Sequence, residues 1–177
     1  MYRQDTYAPS YDYWFGQVVF EMVEDAVASA LKYFSSDHNC AQSVLRSLLE
    51  HKKLYFKEAT RVAAGFGGGI AREGQTCGAV TGAIMAIGAI EGRLVPEFLD
   101  HKKATYEIGK RFLKHFKEKH KTCLCKELIG YDVGDPEQYR EAEKKGVFRD
   151  LCTSFVEDAV RIVLDLFPDE PKSKSLR

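Results

Sequence analysis

The sequence predicts an all-α fold: a single-domain bundle of about six to eight helices, preceded by an irregular, tyrosine-rich N-terminal arm. Apolar residues recur at helical spacing along most of the chain, while glycine, proline and capping residues separate these segments. No segment shows the strict alternation that is typical of half-buried strands. The chain has 177 residues, 45% of them hydrophobic, which is enough for one compact domain with a core.

We expect three regions: an arm at residues 1–17, a helical and cysteine-rich domain at residues 18–168, and a flexible tail at residues 169–177. The periodic pattern begins near Phe15, after a tyrosine-rich stretch without a clear period. In the first helix one apolar stripe recurs at helical spacing. Its members are Val23, Val27, Ala30, Leu31 and Phe34.

The next three helices are separated by clear breaks. Residues 35–37, Ser-Ser-Asp, stop the first helix and supply an N-cap signal for a second helix at about residues 39–52. A short third helix, residues 56–64, ends in the glycine run of residues 65–69. After that run, residues 77–91 form a fourth helix made largely of small and aliphatic residues.

The second half of the chain predicts four more helices. Gly92 and Pro96 break the chain before a long helix at residues 97–119, whose outer face is heavily charged. The others are a short helix at residues 123–129 that is closed by Gly130, a polar surface helix at residues 136–145, and a last helix at residues 150–167 that Pro168 stops.

Composition excludes several classes of function. Lys and Arg total 26 and Asp and Glu total 26, so no net charge attracts the chain to nucleic acid or to an anionic membrane. The N-terminus lacks the basic and apolar regions of a signal peptide. The longest uncharged apolar stretch, residues 76–90, is shorter than the roughly 20 residues of a membrane helix. We therefore expect a cytoplasmic protein that neither binds nucleic acid nor inserts into a membrane.

Cysteines carry the chemical signal of this sequence. In a reducing compartment they are more often metal ligands or redox catalysts than structural disulfides. Almost all of them lie at the ends of expected helices, where unpaired N–H groups and the helix dipole favour thiolate. The five are Cys40, Cys77, Cys123, Cys125 and Cys152.

Cys77 has the strongest individual case, because small residues leave space beside its sulfur for a cluster, a metal or a second thiol. Gly78 and Gly82 are therefore candidate cofactor-binding residues. The alternative is that this bare face only lets another helix approach closely.

Two other motifs are weaker. His115 and His120 precede Cys123 and Cys125 at a spacing that loosely resembles a zinc site, but it matches no standard finger. We interpret both histidines as ordinary surface residues. The glycine run at residues 65–69 follows no strand and lacks the Gly-Lys-Ser/Thr of a phosphate-binding loop, so we expect a hinge that positions Cys77.

Several segments match a known cysteine pattern. They are residues 39–45 (NCAQSVL), 67–70 (GGGI), 77–88 (CGAVTGAIMAIG), 125–130 (CKELIG) and Cys152. Together they resemble a family of redox-active proteins of bacteria and archaea that is named for its C…CGAxxG…C…C pattern. The resemblance covers about residues 20–167, and Cys123 is additional to it. It implies a small helical domain with a thiol-dependent or metal-dependent redox role.

Three functions remain open. In the first, Cys40, Cys77, Cys125 and Cys152 converge and bind an iron–sulfur cluster or a single iron or zinc ion for electron transfer. In the second, no metal is bound: Cys77 attacks as a low-pKa thiol, and Cys40 or Cys125 resolves it to a disulfide. The third is a structural zinc site or an interaction module, with a homodimer formed through the tyrosine-rich arm. The sequence names no particular redox partner.

Overall fold

The computed structural model describes residues 11–168, with side chains from residue 16 onward, and it confirms the all-α fold. Over this range there are eight α-helices and no strand; an isolated antiparallel bridge joins Thr76 and Leu124. The helices are α1 (Tyr11–Phe34), α2 (Cys40–His51), α3 (Lys57–Val62), α4 (Gly78–Leu94), α5 (Phe98–His120), α6 (Cys125–Ile129), α7 (Pro136–Lys144) and α8 (Thr153–Leu166).

The first helix begins earlier than expected. It starts at Tyr11 rather than near Phe15, so residues 11–17 of the expected arm are helical. The rest of that arm, residues 1–10, and the expected tail, residues 169–177, lie outside the described residues. Apolar periodicity could not find this start, because the apolar stripe of this helix begins only at Val23.

Two helices are extended by turns of different pitch. The 3₁₀ turn Ala63–Phe66 continues α3, and the π-helical turn Phe148–Cys152 leads directly into α8. A π turn is rare, and it occurs most often beside functional sites. Sequence periodicity placed the start of this last helix at residue 150, since a pattern of 3.6 residues does not register a single wider turn.

The core is formed mainly by α2, α4 and α8. Helix α1 packs against α2 and α8, and α5 packs against α4 and α8 on the other side. Burying each large apolar side chain contributes roughly 1.5–3 kcal/mol, so this core supplies most of the driving force for folding. The largest side chains that are fully buried are Val44, Leu48, Leu49, Val80, Ile87, Phe112, Phe116, Val156, Val160 and Val163.

Helices α2 and α4 approach each other unusually closely, because glycine faces the contact. A Cβ atom added to Gly82 would lie 2.5 Å from the carbonyl oxygen of Ala41 and 3.1 Å from its Cα. A Cβ atom on Gly78 would overlap the Sγ atom of Cys40 and lie 3.1 Å from the amide nitrogen of Ala41. Any larger residue would push the two helices apart.

Charged residues cover the outer faces of the helices. On α5 the pairs Lys103–Asp100 and Lys110–Glu107 are exposed, so each contributes little to stability. Arg161 of α8 is better placed, since it binds Glu24 of α1 through two hydrogen bonds. Within residues 11–168 no helix is both long enough and apolar enough to cross a membrane. Cytoplasmic location and a homodimer through the arm stay predictions.

The close contact between α2 and α4 makes Gly82→Ala strongly destabilising. Overpacking a rigid contact costs about 1–3 kcal/mol, and here the obstructing atoms belong to the backbone of Ala41. Gly88→Ala in the same helix is the matched control, because its Cβ would meet only Thr105, at 3.8 Å. That control should be neutral or gain up to about 1 kcal/mol from helix propensity. Urea unfolding followed by circular dichroism measures both, and equal small effects would contradict the contact.

Candidate functional site

Four cysteines lie around one cavity of about 520 Å³. Each of them stands at the start of a different helix. Cys40 is the first residue of α2 and Cys77 directly precedes α4. Cys125 is the first residue of α6, and Cys152 joins the π turn to α8. The structure thus brings together the four thiols that the sequence singled out, whereas their role in metal binding or redox chemistry stays a prediction.

The remaining wall of the cavity is mostly apolar. Its hydrophobic members are Phe34, Ala64, Ala71, Leu128, Ile129, Val133, Phe148 and Phe155. Two glycines, Gly67 and Gly68, and the polar residues Asn39, Arg72 and Tyr139 complete the lining. Such a mixture of apolar surface and a few polar groups is typical of a site for a small molecule.

A capping box fixes the start of α2 at the edge of the cavity. The side chain of Asn39 accepts a hydrogen bond from the amide of Gln42, and the side chain of Gln42 accepts one from the amide of Asn39, both at 3.0 Å. Asn39 also donates through Nδ2 to the carbonyl oxygen of Ala64, at 2.9 Å. This network ties the first turn of α2, and therefore Cys40, to the turn that follows α3.

Cys40 has the lowest pKa of the four cavity thiols and is the one that forms a thiolate near neutral pH. Its sulfur accepts a hydrogen bond from the thiol of Cys77, which is the main cause that lowers its pKa to about 7. Burial opposes this change, but hydrogen bonds from backbone N–H groups, including those of Gly68 and Ala41, lower the pKa further. Cys40 is half-buried, so the cavity gives access to it.

Cys77 is the neutral partner, contrary to the expectation that it carries the lowest pKa. Donating to Cys40 raises the pKa of Cys77 well above its ordinary value, and burial and the charge of Cys40 raise it further. The expectation of a low pKa for Cys77 rested only on its position at the N-terminus of α4. In the structure the backbone near Ala79 makes a smaller opposing contribution, and the donors that matter converge on Cys40 instead.

The other two cavity thiols are also neutral. Burial, with a contribution from the nearby charge of Cys40, raises the pKa of Cys125 to about 12. Burial likewise raises the pKa of Cys152, and repulsion from the neighbouring Cys40 and Cys125, where these ionise, adds to the shift. The cavity therefore holds one thiolate among protonated thiols.

The end of the glycine run and the three residues after it form a left-handed turn, and a role as a hinge stays a prediction. Residues 68–72 all have positive φ, between 51° and 74°. A Cβ atom on Gly69 would lie 2.7 Å from the Cβ of Cys125 and 2.6 Å from the amide nitrogen of Gln75, so only glycine fits. Two backbone hydrogen bonds close the turn: the amide of Gly74 donates to the carbonyl oxygen of Gly68 at 3.1 Å, and the amide of Gln75 donates to that of Gly69 at 2.9 Å. This conformation places the N–H of Gly68 on the sulfur of Cys40.

Gly78 and Gly82 do not line the cavity. Both are buried at the contact with α2, next to Cys40 and Ala41 respectively. Their small size serves helix packing, and their assignment as cofactor-binding residues stays a prediction. Gly78 still contributes to the site, since its missing side chain leaves room for the sulfur of Cys40 beside Cys77.

Cys123 and the two histidines lie apart from the four thiols. Cys123 is buried on the wall of a second cavity, although its carbonyl oxygen accepts a hydrogen bond from the amide of Cys77 at 2.8 Å. His120 binds Asp158 at 2.9 Å and is half-buried rather than on the surface, while His115 is exposed as expected. A zinc site built from these histidines and Cys123 has no support in this arrangement.

Sequence reasoning missed Arg72, Tyr139 and Phe148 as cavity residues. Arg72 follows the glycine run, and its guanidinium carbon lies 4.6 Å from the centre of the Tyr139 ring. The only signal was this proximity in sequence to the glycines. Tyr139 belongs to a helix whose composition indicated a polar surface, and Phe148 opens the π turn that periodicity did not show.

Among the residues whose side chains are described, no three His, Cys, Asp or Glu side chains are placed to hold one metal ion. The fold and the cavity define a class of protein: a helical domain with clustered cysteines, two of them hydrogen-bonded to each other. The chain belongs to the family described as "Putative redox-active protein (C_GCAxxG_C_C)", whose model matches residues 38–166. The family's name gives its central motif as Gly-Cys-Ala-x-x-Gly, not as the Cys-Gly-Ala-x-x-Gly expected above, whereas this chain has Cys77-Gly78-Ala79. No curated protein and no solved structure gives a significant match.

Alkylation distinguishes Cys40 from the other thiols. The rate at which iodoacetamide modifies Cys40 should rise with a midpoint at about pH 7, because only the thiolate reacts. Cys77→Ala removes the main donor and should move this midpoint to higher pH, whereas Cys77→Ser keeps a donor and should move it less.

Quantitative mass spectrometry of the modified peptides gives the midpoint for each cysteine. Cys125 is the internal control, because a pKa of about 12 keeps its alkylation slow over the same range. A Cys40 midpoint that does not respond to Cys77→Ala would contradict the hydrogen bond between the two sulfurs.

Proposed function

We propose that this chain is a thiol–disulfide redox protein in which Cys40 and Cys77 alternate between a dithiol and a disulfide. The observation that supports this most directly is that Cys40 and Cys77 are neighbours on the wall of one cavity, where the Cys77 thiol is the main group that lowers the pKa of Cys40. Membership of a redox-active family agrees with it. The roles of the two thiols are exchanged relative to the sequence hypothesis, because Cys40 is the thiolate.

The chemistry is thiol–disulfide exchange with a disulfide substrate. The Cys40 thiolate attacks one sulfur of the substrate, whose S–S bond breaks, and one substrate thiolate leaves. Cys77 then loses its proton to water and attacks the Cys40 sulfur of the mixed disulfide. The second substrate thiolate leaves as the Cys40–Cys77 disulfide forms. Two electrons pass from the protein to the substrate, and the reverse sequence regenerates the dithiol.

The hydrogen bond also explains the order of these two attacks. While Cys40 is a thiolate, its acceptance of the hydrogen bond and its charge both raise the pKa of Cys77. Once Cys40 is part of a mixed disulfide, that charge is gone and Cys77 ionises more readily. The resolving thiol is therefore inactive until the first attack has occurred.

Binding of an iron–sulfur cluster or a single iron or zinc ion is the second candidate. It is favoured by the number of thiols on one cavity wall, since Cys40, Cys77, Cys125 and Cys152 supply the donor set of such a group. The donors fit in kind and number, although no three are spaced to hold one metal ion as they stand. A cluster held there would supply one-electron transfer. The same four side chains would have to draw together around it.

Thiol counting and peptide mapping test the dithiol proposal. Mild oxidation of metal-free protein by 2,2′-dithiodipyridine should remove two of the five titratable thiols and yield a peptide with a Cys40–Cys77 disulfide. Cys77→Ser should stop at a mixed disulfide on Cys40, because no second thiol resolves it. Cys123→Ser is the matched control and should cycle normally. Oxidation that links other cysteines in the native protein would overturn the proposal.

Metal analysis of anaerobically purified protein separates the candidates. The dithiol proposal expects colourless protein without stoichiometric iron or zinc. Visible colour with iron and acid-labile sulfide, lost in Cys77→Ser and kept in Cys123→Ser, would support the cluster instead. Stoichiometric zinc in protein that shows no redox cycling would support a structural zinc module.

A further inference from the structure

Apart from the Cys40 thiolate, Arg72 is the only charged side chain among the described residues that line the cysteine cavity, and it lies at the exposed edge of that cavity. Among residues 16–168 no carboxylate pairs with Arg72 and none lines the cavity; its guanidinium lies against the ring of Tyr139 instead. The cavity therefore combines one unpaired positive charge with a largely apolar wall.

The structure holds Arg72 in place at both ends of its side chain. Near the backbone, a Cβ atom on Gly68 would lie 2.8 Å from the Cγ of Arg72, so the glycine lets this stem pack against the turn. At the tip, the guanidinium stacks on Tyr139. The φ angle of 65° costs a non-glycine residue roughly 1–2 kcal/mol, and such conformations persist where the surroundings impose them.

Arg72 and the thiolate share one neighbour. Gly68 donates its N–H to the sulfur of Cys40, and the stem of Arg72 packs against the same residue. Because no carboxylate among residues 16–168 pairs with Arg72, its charge is available to a bound molecule.

Resting on the proposed thiol–disulfide function, we propose that the substrate is a small organic disulfide that carries a carboxylate or another anionic group, which Arg72 binds. A volume of about 520 Å³ suits a small molecule. The apolar wall accommodates its organic body, and a guanidinium binds carboxylates and phosphates through paired hydrogen bonds. Arg72 is then the residue that determines specificity, whereas Cys40 and Cys77 carry out the exchange.

The exchange with this substrate proceeds through the same two displacement steps as the general thiol–disulfide exchange. The Cys40 thiolate displaces one thiolate from the substrate, and Cys77, after losing its proton to water, displaces the other. The substrate gains two electrons and becomes two thiols after protonation by water, while the protein becomes the Cys40–Cys77 disulfide. Arg72 takes no part in bond making, so its removal should weaken binding of the anionic substrate without preventing the reaction of a neutral one.

Two chromogenic disulfides of opposite character test this proposal on the full chain. The probes are 5,5′-dithiobis(2-nitrobenzoate), which carries two carboxylates, and the neutral 2,2′-dithiodipyridine. Stopped-flow rates are measured for both, and mass spectrometry identifies Cys40 as the first residue modified. Arg72→Gln should lower the rate with the anionic probe about tenfold, the equivalent of one charge-assisted contact, while the neutral probe changes less than about twofold.

Arg140→Gln is the matched control, because Arg140 lies beside Arg72 on a shallow neighbouring pocket but does not line the cysteine cavity. It should leave both rates unchanged. The rate of Arg72→Lys with the anionic probe should lie between the rates of Arg72→Gln and the native protein. Arg72→Asn guards against a folding defect, since asparagine tolerates a positive φ better than most residues. It should reproduce the result of Arg72→Gln.

If Arg72→Gln lowers the rates with both probes equally, or does not lower the rate with the anionic probe, the proposed role of Arg72 is wrong. A loss of similar size in Arg140→Gln would also overturn it, because long-range charge would then explain the effect. If the neutral probe fails to react at Cys40 in the native protein, the thiol–disulfide function itself is wrong. The two failures are therefore distinguishable.

Discussion

The distance between α2 and α4 governs the geometry of the cysteine cavity. Gly82 lies against the backbone of Ala41, so the two helices meet there with no side chain between them, and Gly78 leaves room for the sulfur of Cys40. Because Cys40 opens one helix and Cys77 precedes the other, this contact sets the two sulfurs within hydrogen-bonding distance. A difference of one methyl group at either glycine would separate them.

Position at a helix N-terminus does not by itself make a cysteine reactive. All four cavity cysteines occupy that position, yet three of them have a raised pKa: Cys77 mainly because it donates to Cys40, and Cys125 and Cys152 mainly because they are buried. Cys40 differs because a second element, the left-handed turn that contains Gly68, adds an N–H donor, and a neighbouring thiol adds another. Charge at this site is therefore decided by the groups that converge on one sulfur from separate parts of the chain.

Local patterns in the sequence were sufficient to predict the helices and the set of converging thiols, since both depend on spacing along the chain. The assignment of charge was not predictable, because it depends on the donors that reach Cys40 from the turn at Gly68 and from Cys77. Neither was the positive φ of Arg72, as no propensity rule expects a left-handed arginine. The role of Gly82 could not be predicted without the position of α2, because a small residue in the sequence is equally compatible with open space for a ligand and with close contact between helices.

The mixture of one thiolate and several protonated thiols links the stability of this fold to pH in two opposite directions. Between about pH 7 and the ordinary thiol value of 9.0, the unfolded chain keeps a proton on Cys40 that the folded chain has released, so stability increases with pH. Above that value the unfolded chain ionises its other cysteines, whereas the folded chain retains protons on Cys125 and Cys152. Alkaline solution therefore favours unfolding. The contribution of these thiols to the free energy of unfolding has its maximum where the rise gives way to the fall, close to the ordinary thiol pKa of 9.0.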